Sequence, residues 1–147
     1  MAFTGNWACD TFKIGMLDGV YNFGSGTSQV FKIALYTNAA TLDASTTAYT
    51  TIGEVVGTGY TAGGNTLVIN ANPTTGGSGN TVYLSFANSV WNGATITARG
   101  ALIYLANGTT NPSVCVLDFG SNKSTINGSF TVQFPSATNS SAIIRIN

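Results

Sequence analysis

Catalysis by proton transfer, nucleophilic attack or metal activation needs particular side chains within reach of one another, and this chain of 147 residues carries few of them. It has no histidine, which removes any His-based triad and any His-rich metal site. Its five carboxylates are Asp10, Asp18, Asp43, Glu54 and Asp118. Two of them could act as the acid and base of a glycosidase if the fold held them about 5 to 9 Å apart. Their spacing points to no such pair, and a lone Asp beside a turn, as in Leu42-Asp43-Ala44-Ser45, is explained by capping of backbone N–H groups. No Asp-x-Asp-x-Asp-Gly run is present to wrap calcium. Gly24-Ser25-Gly26-Thr27-Ser28 lacks the lysine and the following helix of a phosphate cradle and reads as a turn. The two cysteines, Cys9 and Cys115, stand in no metal-ligand spacing and read as buried, reduced thiols. The expectation is a protein that is not an enzyme, with no catalytic residue, no metal site and no cofactor.

Charge then bears on partners. Five basic residues balance five acidic ones, and only 7% of the chain is charged, against about 25% in an average domain. Thr, Ser and Asn, roughly a third of the residues, keep the surface wet instead. Phosphate contacts need clustered Lys or Arg, so nucleic acid is not an expected partner. A membrane is not expected either, because no run approaches the ~20 apolar residues of a spanning helix. The opening residues, Met1 to Trp7, lack the basic and apolar regions of a secretion signal, and synthesis in the cytoplasm is expected.

Three residues are candidates for binding a partner. Arg99 is a charge inside an otherwise apolar and small-residue strand. It calls for an ion pair with Glu54 or Asp118 that fixes strand register, or else for a subunit contact. Phe3 and Trp7 precede the first regular element. As a short apolar N-terminal arm they could dock on a neighbour, or fold back on the chain's own sheets. Interface cores are depleted of charge, and neutral strand edges lack the lysines that block strand addition, so a chain with this composition suits assembly.

The elements that must position these residues are nearly all strands. One short helix is expected over Thr11 to Asp18, with Phe12, Met16 and Leu17 at helical spacing and Gly19 as its stop. In Val30 to Tyr36, Phe31, Ile33 and Leu35 alternate toward one face. Further β-branched runs are Ile52 to Val56, Thr66 to Asn70, Thr81 to Ala87, Ala94 to Leu105, Val114 to Phe119, Ser129 to Phe134 and Ala142 to Ile146, each bounded by turn residues. Gly100 offers a bulge or bend in the longest run, which could there pass from one sheet to another. Residues 61–65 and 74–80 read as loops.

Consecutive strands without intervening helices predict one all-β domain over residues 1–147, an antiparallel, jelly-roll-like β-sandwich with one short N-terminal helix. The expected core is Phe31, Ile33, Leu35, Ile69, Tyr83, Leu84, Phe86, Ile96, Leu102, Val116, Phe119, Val132 and Ile144, joined by Trp91 and Tyr104. Tyr83 and Leu84 cannot face the same layer of a regular strand.

The run Phe31-Lys32-Ile33-Ala34-Leu35-Tyr36-Thr37 and the segments Ala40 to Thr50, Glu54 to Leu67 and Ala94 to Tyr104 resemble a family of small tailed-bacteriophage virion proteins. The resemblance continues through Val116 to Gly120 and Phe130 to Pro135 to Ala142 to Ile146, and is weakest over Asn72 to Asn92. It implies a structural component of the virion, made in the host cytoplasm, with the major capsid protein or other virion proteins as partners. Within that family it points first to a capsid decoration (cement) protein on the outer surface of the head, a homo-oligomer with a trimer favoured. A tail or baseplate component and a sugar-binding adhesin are the alternatives. No catalytic residue is carried over.

Overall fold

The computed structural model describes residues 3–77 and 79–147. Met1 and Ala2, at the start of the expected arm, and Ser78, in the expected 74–80 loop, lie outside them. The chain runs β1 (Trp7–Ala8), α1 (Asp10–Leu17), β2 (Phe31–Tyr36), β3 (Asn65–Thr66), β4 (Ile69–Thr75), β5 (Val82–Phe86), β6 (Ser89–Leu105), β7 (Ser113–Val132) and β8 (Ile144–Ile146). It is an all-β fold with one short helix. Two antiparallel sheets form, one in the order β1-β7-β6-β2-β3 and one in the order β4-β5-β8.

α1 lies within a residue of its expected span. Asp10 in its first turn faces the positive end of the helix dipole and pairs with Lys13 at 2.9 Å. The helix buries Phe12 and Gly15. Phe12 starts a chain of rings that runs to Tyr21 (5.1 Å between centroids), while Phe23 stacks on Phe31 of β2 at 4.2 Å. Phe86 of β5 lies 6.5 Å from Phe31 and 5.8 Å from Phe134, so these rings link β5 of one sheet to β2 of the other. Each ring taken fully out of water contributes roughly 1.5 to 3 kcal/mol.

β6 and β7 form the spine. From Gly100↔Asp118 to Tyr104↔Ser113 the ladder is flanked by β2 on one side and by β1 on the other. From Ser89↔Val132 to Ala98↔Lys123 it continues as a hairpin whose β7 side is largely exposed. Between these halves Arg99 alone stands opposite Phe119 to Asn122. This bulge gives β7 its bend, and Gly120 supplies the left-handed φ of +76° that it needs. Gly100 is required for a different reason: a Cβ there would lie 2.4 Å from the Phe3 ring and 2.5 Å from the Leu117 carbonyl oxygen.

Several expectations are corrected. Ile52 to Val56 is a turn, not a strand, and only Glu54 forms an isolated bridge, to Tyr36. Glu54 and Val55 are both buried while Ile52 and Val56 face solvent, a pattern incompatible with strand alternation. Thr66 to Asn70 divides into the end of β3 and the start of β4, which lie in different sheets. Thr74 and Thr75, expected in a loop, extend β4. Val114 to Phe119 and Ser129 to Val132 belong to one strand, because the backbone ladder with β6 runs on through the polar residues between them. β6 does not pass between sheets at Gly100, since the bulge bends the ladder without ending it.

Nine of the thirteen residues first named as core are buried, and Ile69, Tyr83, Phe119 and Ile144 are only partly so. Leu84 is buried and Tyr83, on the other face of the strand, only partly so. Trp91 and Tyr104 are buried as expected.

Candidate functional site

Phe3, Trp7 and Arg99 end up in one neighbourhood but in different environments. Phe3 is 3% exposed, bridges to Leu42 and lies beneath Arg99, whose guanidinium carbon is 5.6 Å from the ring centroid. Arg99 forms the ion pair with Asp118 that the sequence allowed, not one with Glu54. The same Asp118 carboxylate accepts the Gly120 N–H at 2.7 Å, and the Asn6 side chain accepts the Asp118 N–H at 2.7 Å. Pair and ring therefore brace the β7 bulge. Of the alternatives the sequence left open, the structure shows the internal ones here: Phe3 folds back onto the chain's own sheets, and Arg99, half-buried, pairs with Asp118. Trp7 is different. It lies on β1 with 41% of its surface exposed.

Trp7 forms one wall of a groove of about 690 Å³. β1 covers only Val116 and Cys115 of β7, so the five-stranded sheet ends there in a two-residue edge. β8 ends the three-stranded sheet in the same way, pairing with β5 on one side only. Residues of both strands line the groove, α1 contributes Phe12, Met16 and Leu17, and Val116 of β7 with Ile144 and Ile146 of β8 complete the apolar lining. Leu17 is 91% exposed, the extreme case. Cys115 also lines it, and burial pushes the Cys115 thiol well above its usual pKa, so it behaves as apolar wall, not as nucleophile. Lys13 and Arg145 stand at the groove as well. Asp10 offsets Lys13, while among the described residues Arg145 donates only to the Ser140 carbonyl, at 2.7 Å.

Of these residues the sequence marks Trp7 alone as a candidate for binding a partner; Val116 and Ile144 are expected in the core. A signal for Leu17 was present: at 100° per residue it sits about 140° around the helix from Phe12, too far to share its buried face. Arg145 and Ile146 carry no local mark of this site, because β1 and β8 belong to different sheets and meet only as walls of the groove.

A second cluster was missed altogether. Glu54, 7% exposed, accepts hydrogen bonds from the Tyr49 hydroxyl (2.6 Å), the Tyr60 hydroxyl (2.7 Å) and the Gly63 N–H (2.7 Å). Tyr60 in turn accepts the Leu35 N–H at 2.9 Å, and Tyr104 donates to the Gly63 carbonyl at 2.9 Å while stacking on Tyr49 at 4.7 Å. Burial first, then the hydrogen bond to Glu54, raises the pKa of Tyr49 and of Tyr60, while burial and the Glu54 charge push Tyr104 up to about 12. A carboxylate with three donors is fully satisfied. The cluster ties the 49–63 segment onto β2 and β6.

The other carboxylates are accounted for locally. Asp43 accepts from the Ser45 N–H (2.8 Å) and hydroxyl (2.6 Å), the cap expected from the sequence, and these bonds hold its carboxyl below the usual range. Among the described residues no three His, Cys, Asp or Glu side chains converge as metal ligands, and no helix is long and apolar enough to cross a membrane. Comparison of the chain with protein-family models, with curated proteins and with solved structures returns no match.

Proposed function

We propose that the protein works by assembly, as a structural component of a tailed-bacteriophage virion, and that it is a trimeric decoration protein on the outer surface of the head. The observation that carries assembly is the apolar groove between the β1 and β8 edges. Trp7, Leu17 and Ile146 keep much of their apolar surface in solvent, and a contiguous apolar surface of this kind is the mark of an interaction site. The resemblance to small phage proteins supplies the setting, and the near absence of charge fits a seam that desolvates at little cost. In this reading the two sheets are the halves of a jelly-roll-like sandwich, with Phe31 and Phe86 meeting between them.

Quantitative mass spectrometry of purified particles tests the proposal. Hundreds of copies relative to the major capsid protein are expected for a head decoration. A handful would move the protein to the tail or baseplate, and its absence from particles would end the virion reading. Leu17→Glu should lower incorporation while leaving the fold intact, because that side chain contributes nothing to the core.

A further inference from the structure

We propose that the groove takes an extended, apolar segment of another virion protein bearing an acidic residue, which adds as a β-strand between β1 and β8. The inference rests on the assembly reading and names the chemistry of the partner. Three observations lead to it.

The first is the pair of edges. β1 and β8 are the terminal strands of two different sheets, each hydrogen-bonded on one side only, and both line the same groove. A strand's outer edge presents N–H and C=O groups that an added strand satisfies directly. A strand of about three to five residues matches the length of β8 at about 3.3 Å per residue.

The second is the lining. An added strand sends alternate side chains to opposite faces, and the apolar side chains of Trp7, Leu17 and Ile146 supply the surface that one such row would cover.

The third is charge. Lys13 is matched by Asp10, whereas Arg145 has no acidic partner among the described residues and contacts only a carbonyl. The groove thus has one positive charge in excess, which favours a carboxylate in the occupant. A second copy of the chain fits less well. Its exposed strands β4 and the outer part of β7 carry no acidic residue, and Asp18 belongs to a helix end.

The test uses the full chain and two synthetic peptides, acetyl-Thr-Val-Glu-Val-Thr-amide and its counterpart with lysine in the central position. Trp7 emission reports binding, since the other tryptophan, Trp91, is buried elsewhere, and hydrogen exchange reports the edges. The glutamate peptide should bind about fivefold more tightly than the lysine peptide at low salt. Arg145→Glu should reverse that order. Amide exchange at Ile144 to Ile146 should slow on binding, and N-methylation of the central peptide amide should abolish the effect.

Equal affinity for both peptides, protection confined to α1, or no binding up to about 10 mM would overturn strand addition. Incorporation of Leu17→Glu into particles separates this proposal from the one beneath it. If incorporation falls while the peptides fail, assembly stands and the strand does not. If the peptides bind as expected while incorporation is unchanged, the groove chemistry stands and its role in the virion falls.

Discussion

The Glu54 cluster and the groove beside β1 break the usual rule of burial in opposite directions, one by enclosing a charge and the other by exposing leucine, isoleucine and tryptophan. At Glu54 every displaced water contact is replaced: two phenols and one backbone N–H meet the carboxylate. At the groove no described residue covers the exposed surface of Leu17 and Ile146. An internally completed exception is structural, since removing it would leave polar atoms stranded. An uncompleted one leaves apolar surface in water, which is why the groove and not the Glu54 cluster carries the proposed assembly.

The largest effect that should separate the two regions is alkaline unfolding. Tyr21 and Tyr104 are pushed up to about 12 by burial, and Tyr36, Tyr49 and Tyr60 are raised as well. A phenol whose folded pKa exceeds its unfolded value of about 10 keeps its proton longer in the folded state, so stability falls as pH rises. That contribution is complete below pH 10 or so and is lost on the way through about 12 for Tyr21 and Tyr104. Phenolate absorbance and loss of near-ultraviolet circular dichroism should rise together in one cooperative transition. Separate, non-cooperative titration would show that the tyrosines are not held by the fold.

Next in size is Glu54→Ala. It strands two hydroxyls and the Gly63 N–H at once, and urea unfolding should show a loss of about 3 to 5 kcal/mol. Tyr60→Phe removes one donor to Glu54 and the acceptor of the Leu35 N–H, and should cost about 1 to 3 kcal/mol by the same measurement. The smallest effect belongs to the groove. Leu17→Ser should change stability by less than about 0.5 kcal/mol, because the side chain is already in solvent. A loss comparable to that of Glu54→Ala would erase the distinction.

The residues that alternate regularly were legible in the sequence: β2, β5 and the inner half of β6 bury Phe31, Ile33, Leu84, Phe86 and Leu102 as their spacing implies. So was the Arg99 ion pair, as one of two options, because a guanidinium in an apolar strand must be met by a carboxylate. The outer half of β7 was not. Ser121 to Asn127 carries the composition of a loop, and only the partner strand β6, remote in sequence, makes it a ladder. Glu54 was obscured for a related reason: its three donors come from Tyr49, Tyr60 and Gly63, scattered along irregular chain where no period marks them. The groove lies furthest from sequence reasoning, since it exists only where the ends of two sheets meet.

The pairing of Trp7 and Ala8 with Val116 and Cys115 has a consequence for how the chain is made. Synthesis proceeds from the N-terminus, so β1 leaves the ribosome long before the strand it pairs with. Helix α1 can form at once from local contacts, and the β6–β7 hairpin can close as soon as its turn has emerged, but β1 must wait. The groove wall that carries Trp7 is therefore among the last parts to be set in place, and a newly made chain presents its finished hairpin before it can complete the groove.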